Sequence, residues 1–182
     1  TDLTPALRTT QATVVYVTDR QPEPCTDAQT AEGCQTAYGY RRSRSMAFGT
    51  TDVNLGKNIT WDELVQASTH FDLSAHLKLS CSGTHELGRF PTTPDAYTLR
   101  NGEPVMPEEA LAVRAAAESA LRNEIQTRLA VAATPDVYLF IHGYNSEFEW
   151  PALVIAQVWH FMGRPGVPIA YSWPAARPGS LL

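Results

Sequence analysis

Apolar residues in the first half of the chain cluster in short runs separated by polar or proline-containing breaks, a pattern that favours strands over helices. Thr13-Val14-Val15-Tyr16-Val17 is the first run, closed by Thr18-Asp19-Arg20 and then by Pro22 and Pro24, and it reads as a mostly buried strand. Met46, Phe48, Val53 and Leu55 mark a second strand between Ser45 and Leu55, bent at Gly49. Thr60 and Glu63 stand at capping-box spacing ahead of Leu64 and Val65, so a short helix should start near Trp61. The next strand is Leu77 to Cys81, with Leu77, Leu79 and Cys81 on one face. Gly83, Gly88, Pro91 and Pro94 then predict loop and edge structure.

From Pro107 the period changes. Leu111, Ala117, Leu121, Ile125 and Leu129 recur at helical spacing among charged residues, with Glu108 and Glu109 in the first turn, where they suit the helix dipole. Thr134-Pro135-Asp136 closes this long helix, and Val137-Tyr138-Leu139-Phe140-Ile141 follows as the continuous apolar run of a central parallel strand. A second apolar helix runs roughly from Pro151 to Met162 and stops at Gly163 and Pro165. Val167 to Tyr171 then leads into Ser172-Trp173-Pro174. Strand, helix and strand in this order predict a βαβ unit with a right-handed crossover. The expected fold is α/β, with a mostly parallel central sheet flanked by helices. It fills one domain, or part of one, over 1–182, with the first strands and loops in 12–106 and helix, strand, helix and strand in 107–182.

With 182 residues, 43% of them hydrophobic, the chain can bury one proper core but not two. A net charge of −5 without a long basic run gives no footprint for nucleic acid or an anionic membrane. Arg41, Arg42 and Arg44, set beside serines, read as a solvated strand edge. A membrane span needs about 18 uninterrupted apolar residues, and the longest apolar region, Leu153 to Met162, is broken by Gln157 and His160. Cys25 and Cys34 flank a polar segment that would gain roughly 2–3 kcal/mol from a local disulfide. Two unpaired thiols are the other reading. A disulfide, together with a chain that begins at Thr1 after a removed signal peptide, would make the protein an exported one. Cys81 is left over, either as a buried thiol or with a partner outside the chain.

The chemistry concentrates at His142-Gly143-Tyr144-Asn145, at the carboxyl end of the parallel strand, where ligand crevices form in such sheets. Gly143 leaves room for a substrate beside the backbone. The Tyr144 amide can then face the crevice near the start of the next helix, which is the arrangement an oxyanion hole requires. At these residues the sequence resembles the α/β-hydrolase superfamily, whose third strand commonly ends in His-Gly followed by an oxyanion-hole residue. More closely, it resembles a bacterial branch of alpha/beta hydrolases of unknown function. The matching features are Thr18-Asp19-Arg20, Phe48-Gly49, Arg89-Phe90-Pro91 with Thr93-Pro94, His142 to Asn145 followed by Phe148-Glu149, and Ser172-Trp173-Pro174. They extend from about Val14 to the last residue. The resemblance implies the amino-terminal portion of a serine-hydrolase fold with esterase-like activity on a small ester-like molecule, and no cofactor. It also implies a structural role for His142 in the turn, with Gly143 and Tyr144 forming the oxyanion hole. Asn145 is an expected substrate contact, and so is Trp173, whose place at the crevice end of its strand would let an aromatic pack against an acyl group; a core role is the other reading of Trp173.

One departure is large: the chain has no Gly-x-Ser-x-Gly, and neither Ser172 before Trp173-Pro174 nor Ser180 after Pro178 has an elbow's context. The nucleophile, acid and base are therefore expected on a carboxy-terminal half of the fold, without which this chain is inactive. The alternative is a non-catalytic α/β-hydrolase-like domain used for binding or subunit contact. A nucleotide-binding domain is disfavoured by the absence of Gly-x-Gly-x-x-Gly, and Gly49 to Lys57 lacks phosphate-loop spacing. His70, His76, His85 and His160 fall at no metal-site spacing, and Thr84-His85-Glu86-Leu87-Gly88 lacks the second histidine of a zinc helix. Asp19 and Arg20 read as a structural ion pair or turn contacts, with a substrate contact as the second reading.

Overall fold

β1 (Gln11–Glu23) is the most buried strand of the sheet, and its apolar run explains why. Val14 faces one side of the sheet and Val15 the other, each with almost no exposure. The computed structural model describes residues 3, 5–23, 37–69, 78–94 and 97–175. Cys25, Cys34, His70, His76, Leu77 and Ser180 lie outside them. β2 (Ala37–Asn54) runs antiparallel to β1, and β3 (Ser80–Arg89) antiparallel to β2. β6 (Val137–Ile141) and β7 (Val167–Ser172) are parallel to β1, giving the order β3-β2-β1-β7-β6.

The sheet is therefore mixed, not mostly parallel as the sequence suggests. The parallel part carries helices on both faces, as such strands require. The β2–β3 part has its own chemistry: Asp52 accepts from Thr13, Asn54 donates to Ser82, and Arg41, Arg42 and Arg44 are exposed. Strands with one half-polar face pair antiparallel without needing a second helical layer. β2 is longer than the run from Ser45, since it reaches back to Ala37 through a stretch in which Arg41, Arg42 and Arg44 are exposed rather than ending the strand. β3 likewise continues through Gly83 and Gly88, where loop was expected. At Gly49 the His85 carbonyl and the Tyr16 ring occupy the space a side chain would need.

α1 (Trp61–Thr69) starts at its capping box: Thr60 N–H donates to Glu63 Oε2 at 2.7 Å, and Glu63 N–H donates to Thr60 Oγ1 at 3.3 Å. β4 (Thr98–Arg100) and β5 (Glu103–Val105) form a small hairpin whose turn residues, Asn101 (φ 55°) and Gly102 (φ 83°), supply the two left-handed positions of a tight turn. α2 (Glu108–Leu129) covers one face of the sheet and α3 (Trp150–Phe161) the other. On the α3 side Val14, Val53, Leu55, Leu64, Ile155 and Trp159 form the main core. On the α2 side Leu121, Ile125 and Leu129 pack over Val15, Val167 and Ile169. The half-buried Cys81 is a free thiol, pushed up to about 12 by burial. No helix among the described residues is long and apolar enough to cross a membrane.

Candidate functional site

The carboxyl ends of β1, β6 and β7 converge because these strands are parallel and in register, with Thr18 beside Ser172 and Ile141 beside Tyr171. Each strand delivers one piece of a shared turn. β6 delivers His142, β7 delivers Trp173, and β1 delivers Arg20.

His142 is buried and uses both ring nitrogens. Nε2 lies 3.0 Å from the Trp173 N–H, which donates to it, and 3.1 Å from the Trp173 carbonyl. Nδ1 lies 2.7 Å from the Gly143 carbonyl; a hydrogen on Nδ1 satisfies that carbonyl and leaves Nε2 to accept from Trp173. The Trp173 indole N–H donates back to the His142 carbonyl at 2.9 Å. The two rings stack with centroids 5.2 Å apart and planes 6° from parallel. The imidazole thus has both nitrogens engaged by backbone groups. It clamps β6 to β7, and one face of the Trp173 indole is covered by it.

The clamp sets the direction of the next peptide. The Gly143–Tyr144 bond is trans, so its carbonyl and its N–H point in opposite directions. With the carbonyl drawn to His142, the Tyr144 N–H points away from the clamp, and it has no hydrogen-bond acceptor among the described residues. A side chain at Gly143 would meet nothing within 4 Å, so the space beside this peptide is open. The left-handed residue of the turn is Asn145 (φ 58°), not Gly143. Asn145 N–H donates to the Ala175 carbonyl at 3.3 Å, closing the turn onto the segment after β7. The Tyr144 side chain is exposed.

Sequence reasoning missed how the turn is held from below. Arg20 is fully buried, donating to the Ser146 carbonyl at 2.6 Å, to Ser172 Oγ at 3.1 Å and to the Gly39 carbonyl at 3.2 Å. Burial lowers its pKa, against the opposing pull of Tyr40, Asp19 and Glu147. Thr18 donates to the Ser172 carbonyl at 2.6 Å. Asp19 and Arg20 do not pair with one another, because neighbouring strand residues face opposite sides. Asp19 meets Arg42 at 3.0 Å instead. The one available signal was the polar Thr18-Asp19-Arg20 after an apolar run, in a strand that does not stop there but continues to Glu23. At the far end of the turn Phe148 packs edge-on against Tyr16 and tilted against Tyr38. Tyr38 donates to Glu86 at 2.6 Å and is raised by burial and by that bond, while Tyr16 is pushed up to about 12 by burial.

α3 begins at Trp150, with Glu149 as its cap residue, so residues 145–149 separate the Tyr144 amide from the helix. Burial, then Glu147, raises the Glu149 pKa. The hydroxyl of Ser172 is engaged by Arg20. No group of three or more metal-ligating side chains occurs among the described residues.

Residues 117–179 match the model of a family described as alpha/beta hydrolase of unknown function (DUF900). This is the kind of family the ordered motifs resemble, and the match covers the later part of α2, β6, the turn, α3 and β7. No curated protein and no solved structure matches the chain.

Proposed function

We propose that this chain supplies the oxyanion-hole side of an esterase-like serine hydrolase, and that Tyr144 N–H is an oxyanion donor. The observation that carries this reading is the Gly143–Tyr144 peptide, whose carbonyl is taken by His142 and whose N–H has no acceptor among the described residues and lies beside open space. A serine attacking an ester carbonyl there would form the acyl-enzyme and release the alcohol, after which water would release the acid. The oxygen that becomes anionic in both steps would accept from Tyr144. One such donor is worth about 3–4 kcal/mol in the transition state.

The nucleophile, acid and base belong, on this reading, to a carboxy-terminal half of the fold that pairs with the open edge of β6. Among the described residues β6 is bonded only to β7, and Val137, Leu139 and Ile141 stand 45%, 57% and 58% exposed. An apolar strand edge of this kind favours further pairing. Asn145 and the outer side of Trp173 would meet the substrate, and an exported location would go with a Cys25–Cys34 disulfide. The lack of a serine elbow favours a second reading, a non-catalytic domain that uses the same edge as a subunit contact.

A fluorophosphonate probe applied to the native assembly separates the two. The hydrolase reading expects a labelled serine on the segment paired with β6, whereas labelling nowhere supports the contact domain. In the assembled enzyme Tyr144→Pro, which removes the N–H, should lower kcat about a hundredfold or more with little change in KM. A folded variant that turns over within a few-fold of the parent would rule out Tyr144 as the donor.

A further inference from the structure

A fully buried cation ordinarily faces a carboxylate, because an unpaired charge in a low-dielectric interior is costly. Arg20 departs from that rule. It has no exposure, yet its hydrogen bonds end on three neutral oxygens, the Ser146 and Gly39 carbonyls and Ser172 Oγ. The two carboxylates that act on its charge bond to other groups: Asp19 meets Arg42 at 3.0 Å, and Glu147 accepts from Tyr40 at 3.2 Å. A neutral amide could bond the same carbonyls at less cost, so the charge itself calls for a reason.

Its place supplies one. Residues 38–40 of β2 grip residues 146–148 of the turn at three points: the Tyr38 ring lies 4.6 Å from that of Phe148, Gly39 and Ser146 share Arg20 as donor, and Tyr40 meets Glu147. The guanidinium is thereby fixed relative to the turn. Ser146 is two residues from Tyr144, so the charge stands within roughly 10 Å of the Tyr144 amide.

We propose that Arg20 is a positioning residue of this turn, and that its buried charge makes the space beside the Tyr144 amide favourable to an anion. A unit charge roughly 10 Å away, at an effective dielectric constant of about 20, shifts the equilibrium of a forming anion by about tenfold. A charge already fixed in place needs no reorganisation when the anion develops. The consequence for turnover rests on the hydrolase reading, whereas the effect on the amide does not.

Hydroxide-catalysed exchange of an amide with water passes through a peptide anion, so its rate reports the potential at that nitrogen. The Tyr144 N–H has no acceptor among the described residues, and no protein hydrogen bond has to open there first. In NMR exchange measurements on the chain, Arg20→Met should slow Tyr144 about fivefold or more, and Arg20→Lys, which keeps the charge, should return it to within about twofold of the parent. A purely structural role would not give this pattern, because a loosened turn has no bond at this amide to release. The Asn145 N–H, bonded to the Ala175 carbonyl, reports whether the turn stays closed. Should Arg20→Met fail to fold, the parent decides: Tyr144 should exchange faster in it than in an unstructured peptide of residues 141–147. Tyr144 exchange unchanged in Arg20→Met, slowed equally in Arg20→Lys, or slower in the parent than in the peptide overturns the proposal. In the assembled enzyme Arg20→Met should lower kcat about tenfold with little change in KM. A fluorophosphonate probe that labels nothing removes the hydrolase reading and leaves the exchange result standing, while a labelled enzyme whose Tyr144 exchange ignores the charge at position 20 does the reverse.

Discussion

The two faces of the sheet are built to different degrees of completion. On the α3 face, Tyr138 and Phe140 of β6 join a core that already holds Val14, Leu64, Ile155 and Trp159. On the α2 face the cover stops at β7: Leu121, Ile125 and Leu129 reach Ile169, but its neighbour Leu139 stands 57% exposed. The same strand is thus core on one side and surface on the other. The α3 face should hold this chain together, and the α2 face at β6 should matter only once something covers it.

The largest test of that difference is Trp159→Ala. It removes a nearly buried indole from the α3 face, together with the hydrogen bond its N–H donates to the Pro165 carbonyl at 2.6 Å. The expected loss is about 3–5 kcal/mol, read from urea denaturation. A loss under 1 kcal/mol would mean that the α3 face is not the principal core.

A smaller effect comes from pH. His160 sits between Ser68 and Arg164: its Nε2 is 2.9 Å from Ser68 Oγ, and its Nδ1 accepts from Arg164 Nε at 3.1 Å. Burial, then the Arg164 guanidinium, lowers its pKa from 6.5 to about 4. The unfolded chain therefore takes up this proton first as pH falls. Stability is fully present above about 6.5 and is lost progressively as pH drops toward 4. His160→Gln, which keeps an acceptor and a donor, should flatten the dependence of Tm on pH across that window. An unchanged slope would show that other groups on the α3 side carry it.

The smallest effect is expected from Leu139→Ala, within about 0.5 kcal/mol in this chain, because the side chain already meets water. The comparison sharpens in an assembly. If a further strand and helix cover β6, the same substitution should cost roughly 2 kcal/mol or more.

Helical elements were legible because their signals are local. The capping box at Thr60 and Glu63, the spacing from Leu111 to Leu129 and the apolar run ending at Gly163 each fall within the element they define, and all three helices lie where those signals place them. Strand partners were not legible, because pairing joins distant residues. Nothing near Ser80 reveals that β3 runs through two glycines beside β2, or that the β1–β2–β3 part is antiparallel. The hairpin at Asn101-Gly102 does carry a local signal, the tight-turn dipeptide between β4 and β5. At the site, His142 to Asn145 stood out as a motif. The partner that fixes the turn's peptide, Trp173, is 31 residues away, and Arg20 lies 126 residues from the carbonyl it holds.

Arg164 closes the longest reach among the described residues. Almost fully buried and in the left-handed region (φ 55°), it donates to the carbonyls of Leu7 and Thr9 at 2.7 Å each and to that of Gln11 at 3.3 Å. Its guanidinium lies over Trp61 and Trp159. The consequence is one of timing during synthesis. The amino-terminal segment cannot be fastened, nor can β1 gain its β7 neighbour, until the ribosome has released residues made some 150 positions later. Until then the nascent chain presents Val14 to Val17 on an unpaired strand edge, a hazard for premature association. A holdase that shields this segment until α3 and β7 emerge should raise the yield of folded protein more than one that acts after release.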